Sequence, residues 1–316
     1  MARVGGVELK KFSSFKIGGP ADNFFIAKNA EEIIEGLKES RRMLFPLKKT
    51  VFVLGGGTNI LWGDRGFKGL VLKPEIKTLE IIDGNKIKAG AGVNVSELLS
   101  FAAENDLSGL EWSGGLPGTV GGAVFGNAGA FGGEIKDCLK EVISLDLKTY
   151  GIIRRAAPEC EFSYRNSIFR KNRGEEIILE AVFNLSPGER SEISDAAMRN
   201  MRYREERQPL EHPNIGSIFK NVPAETLAPG VIERYGLNIK TDPFPVIPTA
   251  RLISETGLRG LSFGGAMISP KHPNFIVNVL DASSSDVVNL IEVVKREVHG
   301  KFGVRLEEEI LNLSRF

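Results

Sequence analysis

The sequence predicts a mixed α/β chain of two domains, and three observations carry that expectation. At 316 residues the chain is long enough for two hydrophobic cores rather than one. Segments of helical apolar period and short strand-like runs follow one another along its first half. Ser186-Pro187-Gly188-Glu189 then breaks the pattern, and a polar helix from about Ile193 to Arg207 follows it. We read that helix as the link, so the expected domains are 1–196 and 197–316.

The opening Met1-Ala2-Arg3-Val4-Gly5-Gly6-Val7-Glu8 has no apolar core of signal-peptide length. Ala30–Ser40 has apolar residues at helical spacing and precedes the strand-like Val51-Phe52-Val53-Leu54. Asn94-Val95-Ser96-Glu97 has the form of a capping box, with the Asn side chain accepting a backbone N–H and Glu97 reaching back. It opens the helix Leu98–Ala103, which should end near Asn105. Strands are expected at Val142–Leu147, Gly151–Arg154 and Ile177–Phe183. Val222–Thr249 carries Pro223, Pro229, Pro243, Pro245 and Pro248. It reads as a surface excursion beside the site, with one or two helical turns at Val231–Gly236. Val287, Leu290, Ile291, Val294 and Val298 fall on one face of a final amphipathic helix. No repeat of 20 to 50 residues is present.

Composition excludes several classes. Lys+Arg number 41 against 40 Asp+Glu, so no basic field invites nucleic acid. No apolar run approaches the roughly 20 residues needed to cross a bilayer, and a soluble, cytoplasmic protein is expected. Cys138 and Cys160 are the only cysteines; without CxxC spacing they read as thiols in a reducing compartment, and no metal site is expected.

The most informative segment is Gly114-Gly115-Leu116-Pro117-Gly118-Thr119-Val120-Gly121-Gly122-Ala123-Val124-Phe125-Gly126-Asn127-Ala128-Gly129. So little side chain there lets backbone N–H groups approach an anionic or flat ligand. A second cluster, Leu54-Gly55-Gly56-Gly57-Thr58-Asn59-Ile60-Leu61, follows an apolar run. Neither is a GxxxxGK[ST] loop, and no G-x-G-x-x-G sits between an early strand and helix, so a P-loop and a Rossmann NAD site are both disfavoured. Residue chemistry leaves the ligand unnamed, with two purely structural glycine loops as the alternative.

In chain order these clusters join Phe12–Ala21, Ser163-Tyr164-Arg165-Asn166-Ser167, Gly216-Ser217-Ile218-Phe219-Lys220-Asn221, Gly264–Ser269 and Leu306-Glu307-Glu308-Glu309-Ile310. The series, spanning nearly the whole chain, resembles the UDP-N-acetylenolpyruvoylglucosamine reductase (MurB) family of flavoenzymes. The resemblance implies an FAD-binding domain of two α+β subdomains, of the vanillyl-alcohol oxidase/p-cresol methylhydroxylase type, followed by a smaller α+β substrate-binding domain. Gly55, Gly56, Gly57, Thr58 and Asn59 would hold the FAD pyrophosphate. Gly114, Gly115, Pro117, Gly118, Gly121, Gly122 and Ala123 would line the flavin and its ribityl chain. His212, His272 and His299 all fall outside the expected FAD domain, so the FAD should be non-covalent.

The same resemblance implies the chemistry: NADPH reduces the flavin and departs, and the enolpyruvyl ether of UDP-N-acetylglucosamine then takes hydride at C3 and a proton at C2, serving peptidoglycan precursor synthesis. Ser217 would be the proton donor, Arg165 the partner of the substrate carboxylate, and Glu309 the group that assists protonation. Glu308 is the alternative to Glu309, because three consecutive glutamates leave the register open. Tyr164, Asn221 and Arg207 match substrate-contacting positions, Arg207 standing where the family usually has lysine. Lys271-His272-Pro273-Asn274-Phe275 is either a ligand contact or a structural turn. The interval from Arg165 to Ser217 points to the branch without the extra substrate-lid loop, and Val222–Thr249 is longer than is usual. NADH remains open as the reductant. Two other readings stand: another FAD-dependent oxidase or dehydrogenase of this fold class, and a non-catalytic nucleotide-binding protein.

Overall fold

The computed structural model describes residues 5–43, 51–242 and 244–314; Met1–Val4 of the opening segment and Pro243 of the proline-rich stretch lie outside the described residues. Helices form where apolar period and caps call for them. Helix α1 (Ala30–Met43) buries Ile33 and Leu37. Helix α2 (Val95–Glu104) starts at Asn94, whose N–H donates to the Glu97 carboxylate at 2.9 Å. The Asn94 side chain also donates to that carboxylate, at 2.8 Å. Helix α3 (Val120–Gly126) is capped by Thr119, whose Oγ1 accepts from Gly122 N–H, and ends at Asn127 in the left-handed conformation.

The strands foreseen at 142–147, 151–154 and 177–183 belong to one antiparallel sheet, in the order Ile152–Ala156, Leu139–Asp146, Glu176–Asn184, Lys86–Gly90, Leu79–Asp83. One of its faces packs with α2 and α3 around Leu98, Val124, Val142 and Phe183. A second cluster combines Leu145, Ile177 and Leu179 with α1 and with Leu70 and Leu72 of the strand Phe67–Pro74. That strand runs parallel to Val51–Val53. Two cores within one unit correspond to the two α+β subdomains.

The chain packs into two units: residues 1–7, 21–56 and 68–204, and residues 8–20, 57–67 and 205–316. This differs from a division at 196/197, which falls inside the continuous helix α4 (Arg190–Arg207). The second unit also takes in two early segments. Ile60–Trp62 runs parallel to Leu311–Leu313, a pairing across some 250 residues that no local pattern announces. Helix α5 (Ser284–Phe302) buries Val287, Leu290, Ile291, Val294 and Val298, the face its spacing predicts, at about 1.5–3 kcal/mol per large apolar side chain.

The proline-rich excursion is closed by Val222–Pro223 pairing with Val246–Ile247, and Val231–Arg234 makes one helical turn. It does more than cover surface. Leu227, Leu237 and Ile247 enter the second unit's core, and Tyr235 packs edge-on against Phe302 of α5, ring centroids 4.9 Å apart.

Candidate active site

In the first unit the two glycine clusters meet. A Cβ on Gly56 would stand 2.8 Å from the Gly118 Cα, and one on Gly55 would stand 2.9 Å from Thr119 Oγ1. Real side chains do not fit at such distances, so the close approach requires glycine. Other glycines are close-packed on the side where a Cβ would stand: Gly121 on Ala91, and Gly114 and Gly115 on Ala197 and Arg204 of α4. By contrast, a Cβ on Gly122 would make only ordinary contact, with Thr119 Oγ1 at 3.6 Å, and one on Gly126 would meet nothing. Pro117 is exposed and Ala123 is buried in the core.

Backbone donors are available beside them. Among the described residues the N–H groups of Gly55, Gly56, Gly118 and Thr119 donate to no other group. The same holds in the second unit for those of Gly57 and Thr58. Gly57 adopts φ +67°, and a Cβ there would run into the Phe12 carbonyl, so its turn requires glycine. The Asn59 amide is partly spent, donating to the Glu309 carbonyl at 3.3 Å.

Arg165 sits at the corner of a tight turn. Ser163 and Asn166 exchange both backbone hydrogen bonds, at 3.0 and 3.1 Å, which leaves Tyr164 and Arg165 as the two-residue loop. Arg165 takes φ +54°, a left-handed conformation that costs an L-residue roughly 1–2 kcal/mol. A buried polar frame holds it there. Asn127, fully buried, donates to the Ser163 carbonyl at 3.1 Å and to the Glu134 carboxylate at 3.0 Å. Ser167, also fully buried, caps the turn Ile168–Lys171 and donates to the Phe125 carbonyl at 2.7 Å. The Arg165 guanidinium donates to the Gly129 carbonyl at 2.7 Å and lies 5.2 Å from the centre of the Tyr164 ring.

In the second unit Ser217 precedes a short antiparallel pairing with the C-terminal glutamates. Glu309 N–H donates to the Ile218 carbonyl at 2.8 Å, Lys220 N–H to the Glu307 carbonyl at 3.0 Å, and Phe219 bridges to Glu308. The other side of the Ser217 segment is clamped by Asn274. Its side chain accepts from Phe219 N–H at 3.0 Å and donates to the Phe219 carbonyl at 2.8 Å, while its own carbonyl accepts from Ile218 N–H. The Lys271–Phe275 motif thus includes a structural brace, a function that sequence reasoning did not assign to Asn274.

Glu307 pairs with Lys220 at 2.5 Å, and Glu308 with Lys295 at 2.5 Å and with the Asn312 amide at 3.2 Å. Asn221 accepts from Thr249 N–H at 3.2 Å, tying the two ends of the excursion. Arg207 is exposed at the end of α4.

Family models match both parts of the chain: an FAD binding domain over residues 21–149, and the C-terminal domain of UDP-N-acetylenolpyruvoylglucosamine reductase over residues 208–313. The reductase of Lachnoclostridium phytofermentans is 39% identical over 307 residues, covering 96% of this chain and 90% of that protein. That of Caldanaerobacter subterraneus is 37% identical over 302 residues, with the same coverage. The crystal structure of the Thermus caldophilus enzyme matches at TM-score 0.76 and 30% identity over 99% of both chains. The chain belongs to the UDP-N-acetylenolpyruvoylglucosamine reductase family.

The matched FAD range contains both glycine clusters, and the reductase C-terminal range contains Ser217, Asn221 and Glu309. The residues present fit FAD. Unsatisfied N–H donors beside the close-packed glycines suit a diphosphate and a flat ring. None of the three histidines belongs to the first unit, so histidyl attachment has no residue there. The cysteines are buried, and burial pushes the thiols up to about 12 for Cys138 and about 11 for Cys160. Among the described residues no group of three or more potential metal ligands occurs, and no helix is long and apolar enough to cross a membrane.

Proposed function

We propose that this chain reduces the enolpyruvyl ether of UDP-N-acetylglucosamine to UDP-N-acetylmuramate, with NADPH as the reductant, and that Ser217, Arg165 and Glu309 carry the chemistry. Bound FAD supplies the electron relay between the two substrates. Saturating a vinyl ether also needs a proton donor and a countercharge for the carboxylate on which negative charge builds. Ser217 donates the proton to C2; a hydroxyl suffices because the carbanionic acceptor is far more basic than water. Arg165 pairs with the carboxylate through a planar, bidentate fork. Glu309 assists Ser217. Tyr164, Asn221 and Arg207 contact the sugar nucleotide, Arg207 at its diphosphate.

The observation that carries the pairing of Ser217 with Glu309 is the backbone register that sets residues 218–220, directly after Ser217, against 307–309. Glu309 is favoured over Glu308 because its own N–H bonds to the carbonyl of Ile218, the residue next to Ser217. The reading places the work in the cytoplasm, with no nucleic-acid or membrane partner. Anaerobic stopped-flow tests it: NADPH should bleach the bound flavin, and the enolpyruvyl substrate should restore the colour without oxygen. Colour that returns only with oxygen would refute the assignment.

A further inference from the structure

Helix α4 carries an arginine that the sequence analysis passed over. Arg204 is only 7% exposed, yet no carboxylate pairs with it among the described residues. Its Nε donates to the Gly114 carbonyl at 2.8 Å, while Nη2 is buried with no hydrogen-bond partner. A buried guanidinium left unpaired costs several kcal/mol, so an acceptor absent from the protein itself is the natural complement.

The surroundings indicate where that acceptor lies. Arg204 Cδ would be 3.0 Å from a Cβ on Gly115, so the side chain runs along the bare backbone of the second glycine cluster. Its guanidinium sits 5.1 Å from the centre of the Phe131 ring. Phe131 is held there at some cost: it occupies the two-residue tip between Ala130 and Gly133, at φ +50°, and is 41% exposed. A bulky side chain at such a corner is strained, which is typical of functional sites. Burial, and then the positive charge of Arg165, bring the Arg204 pKa down to about 10. Two cations of the first unit thus repel one another, which an anion would reverse.

We propose that Arg204 is a further cofactor-site residue, its free Nη2–H donating to the flavin ring and stabilising the negative charge that two-electron reduction places there. This rests on FAD occupying the glycine clusters of the first unit. The guanidinium differs from backbone donors in favouring the reduced over the oxidised cofactor, because its charge acts on the charge that appears.

The test compares wild type, Arg204→Met and Arg204→Lys by FAD titration in both oxidation states and by equilibration against a redox dye. Arg204→Met should leave the affinity for oxidised FAD within about threefold and weaken that for reduced FAD ten- to hundredfold, a midpoint potential about 30–60 mV more negative. Arg204→Lys, which keeps the charge, should fall between, and it serves if the methionine variant does not fold. An unmoved potential, or equal weakening of both oxidation states, overturns the proposal. A raised KM for the enolpyruvyl substrate at unmoved potential also overturns it, assigning the N–H to the substrate carboxylate. Failure of the underlying cofactor reading looks different: the wild type itself would bind no FAD.

Discussion

Arg165 and Ser217 are held in place by opposite means. Arg165 stands at a left-handed corner that the backbone resists, and buried side chains, Asn127 and Ser167, keep it there. Ser217 leads into a segment bonded to the backbone of residues 307–309 on one side and to Asn274 on the other. The first arrangement fixes a direction at the cost of strain; the second fixes a position by hydrogen bonds to the segment's own backbone, from residues 307–309 on one side and from Asn274 on the other. A countercharge needs its planar fork aimed, whereas a hydroxyl on a short side chain is placed once its backbone is placed. Substitutions should therefore separate activity from stability at Arg165 and couple them at the Ser217 brace.

The largest effect is expected from Ser217→Ala. Loss of a positioned proton donor should slow reoxidation of the flavin by the enolpyruvyl substrate by about 10²–10⁴-fold. Bleaching by NADPH should be unchanged, since the serine acts only in the second half-reaction. Single-turnover traces of the two halves check this, and equal slowing of both would remove Ser217 from its role.

Arg165→Gly is the next test. It discards the charge that pairs with the substrate carboxylate, so the second half-reaction should fall by about 10²–10³-fold, in the range seen on removing one transition-state donor. Stability should hardly move, within about 1 kcal/mol. Relief of the left-handed strain offsets the lost bond to the Gly129 carbonyl and the added freedom of the unfolded chain. Urea unfolding measures that balance; a loss of 3 kcal/mol or more would show that Arg165 is chiefly a structural element.

Asn274→Leu should behave in the opposite way. Removing both side-chain bonds to the buried Phe219 peptide leaves a donor and an acceptor unsatisfied, at about 1–3 kcal/mol each. Turnover should drop with stability, because the Ser217 segment loses one of its two supports. Asn274→Asp, which retains the acceptor, should recover part of both. Wild-type stability in the leucine variant would break the contrast between the two regions.

These regions were unequally legible in the sequence. The α5 face and the strands of the five-stranded sheet follow from apolar period, because each is a local amphipathic pattern. The parallel pairing of Ile60–Trp62 with Leu311–Leu313 carries no such signal, so residues 57–67 were assigned to the first domain although they pack in the second unit. The motif around Arg165 was recognisable, but its buried support by Asn127 lies 36 residues from the carbonyl it holds. Arg204 was missed because α4 reads as polar throughout. Its signal was present in the spacing Ile193, Ala197, Asn200, Arg204, an i, i+4, i+7, i+11 stripe whose members face the first unit's interior or bond to it.

The smallest expected effect concerns the other residue of the Asn274 brace motif. His272 lies edge-on to Phe275, ring centroids 4.7 Å apart, and its Nδ1 is buried without a partner. Burial, aided by the positive charges of Lys240 and Arg259, brings its pKa from 6.5 down to about 4. Being neutral in the folded protein and ready to protonate in the unfolded chain, His272 favours unfolding as pH falls below 6.5. Its stabilising effect is fully present above that value and is progressively lost down to about 4. The full difference is about 3 kcal/mol, of which about 2 kcal/mol is lost by pH 5. Urea midpoints at pH 7.5 and pH 5 should therefore diverge more for the wild type than for His272→Gln, which cannot titrate. Since His272 adjoins the segment that braces Ser217, the same acid sensitivity should reach the second half-reaction before NADPH bleaching is affected. Equal pH dependence in the glutamine variant would detach the histidine from the brace and leave Asn274 to act alone.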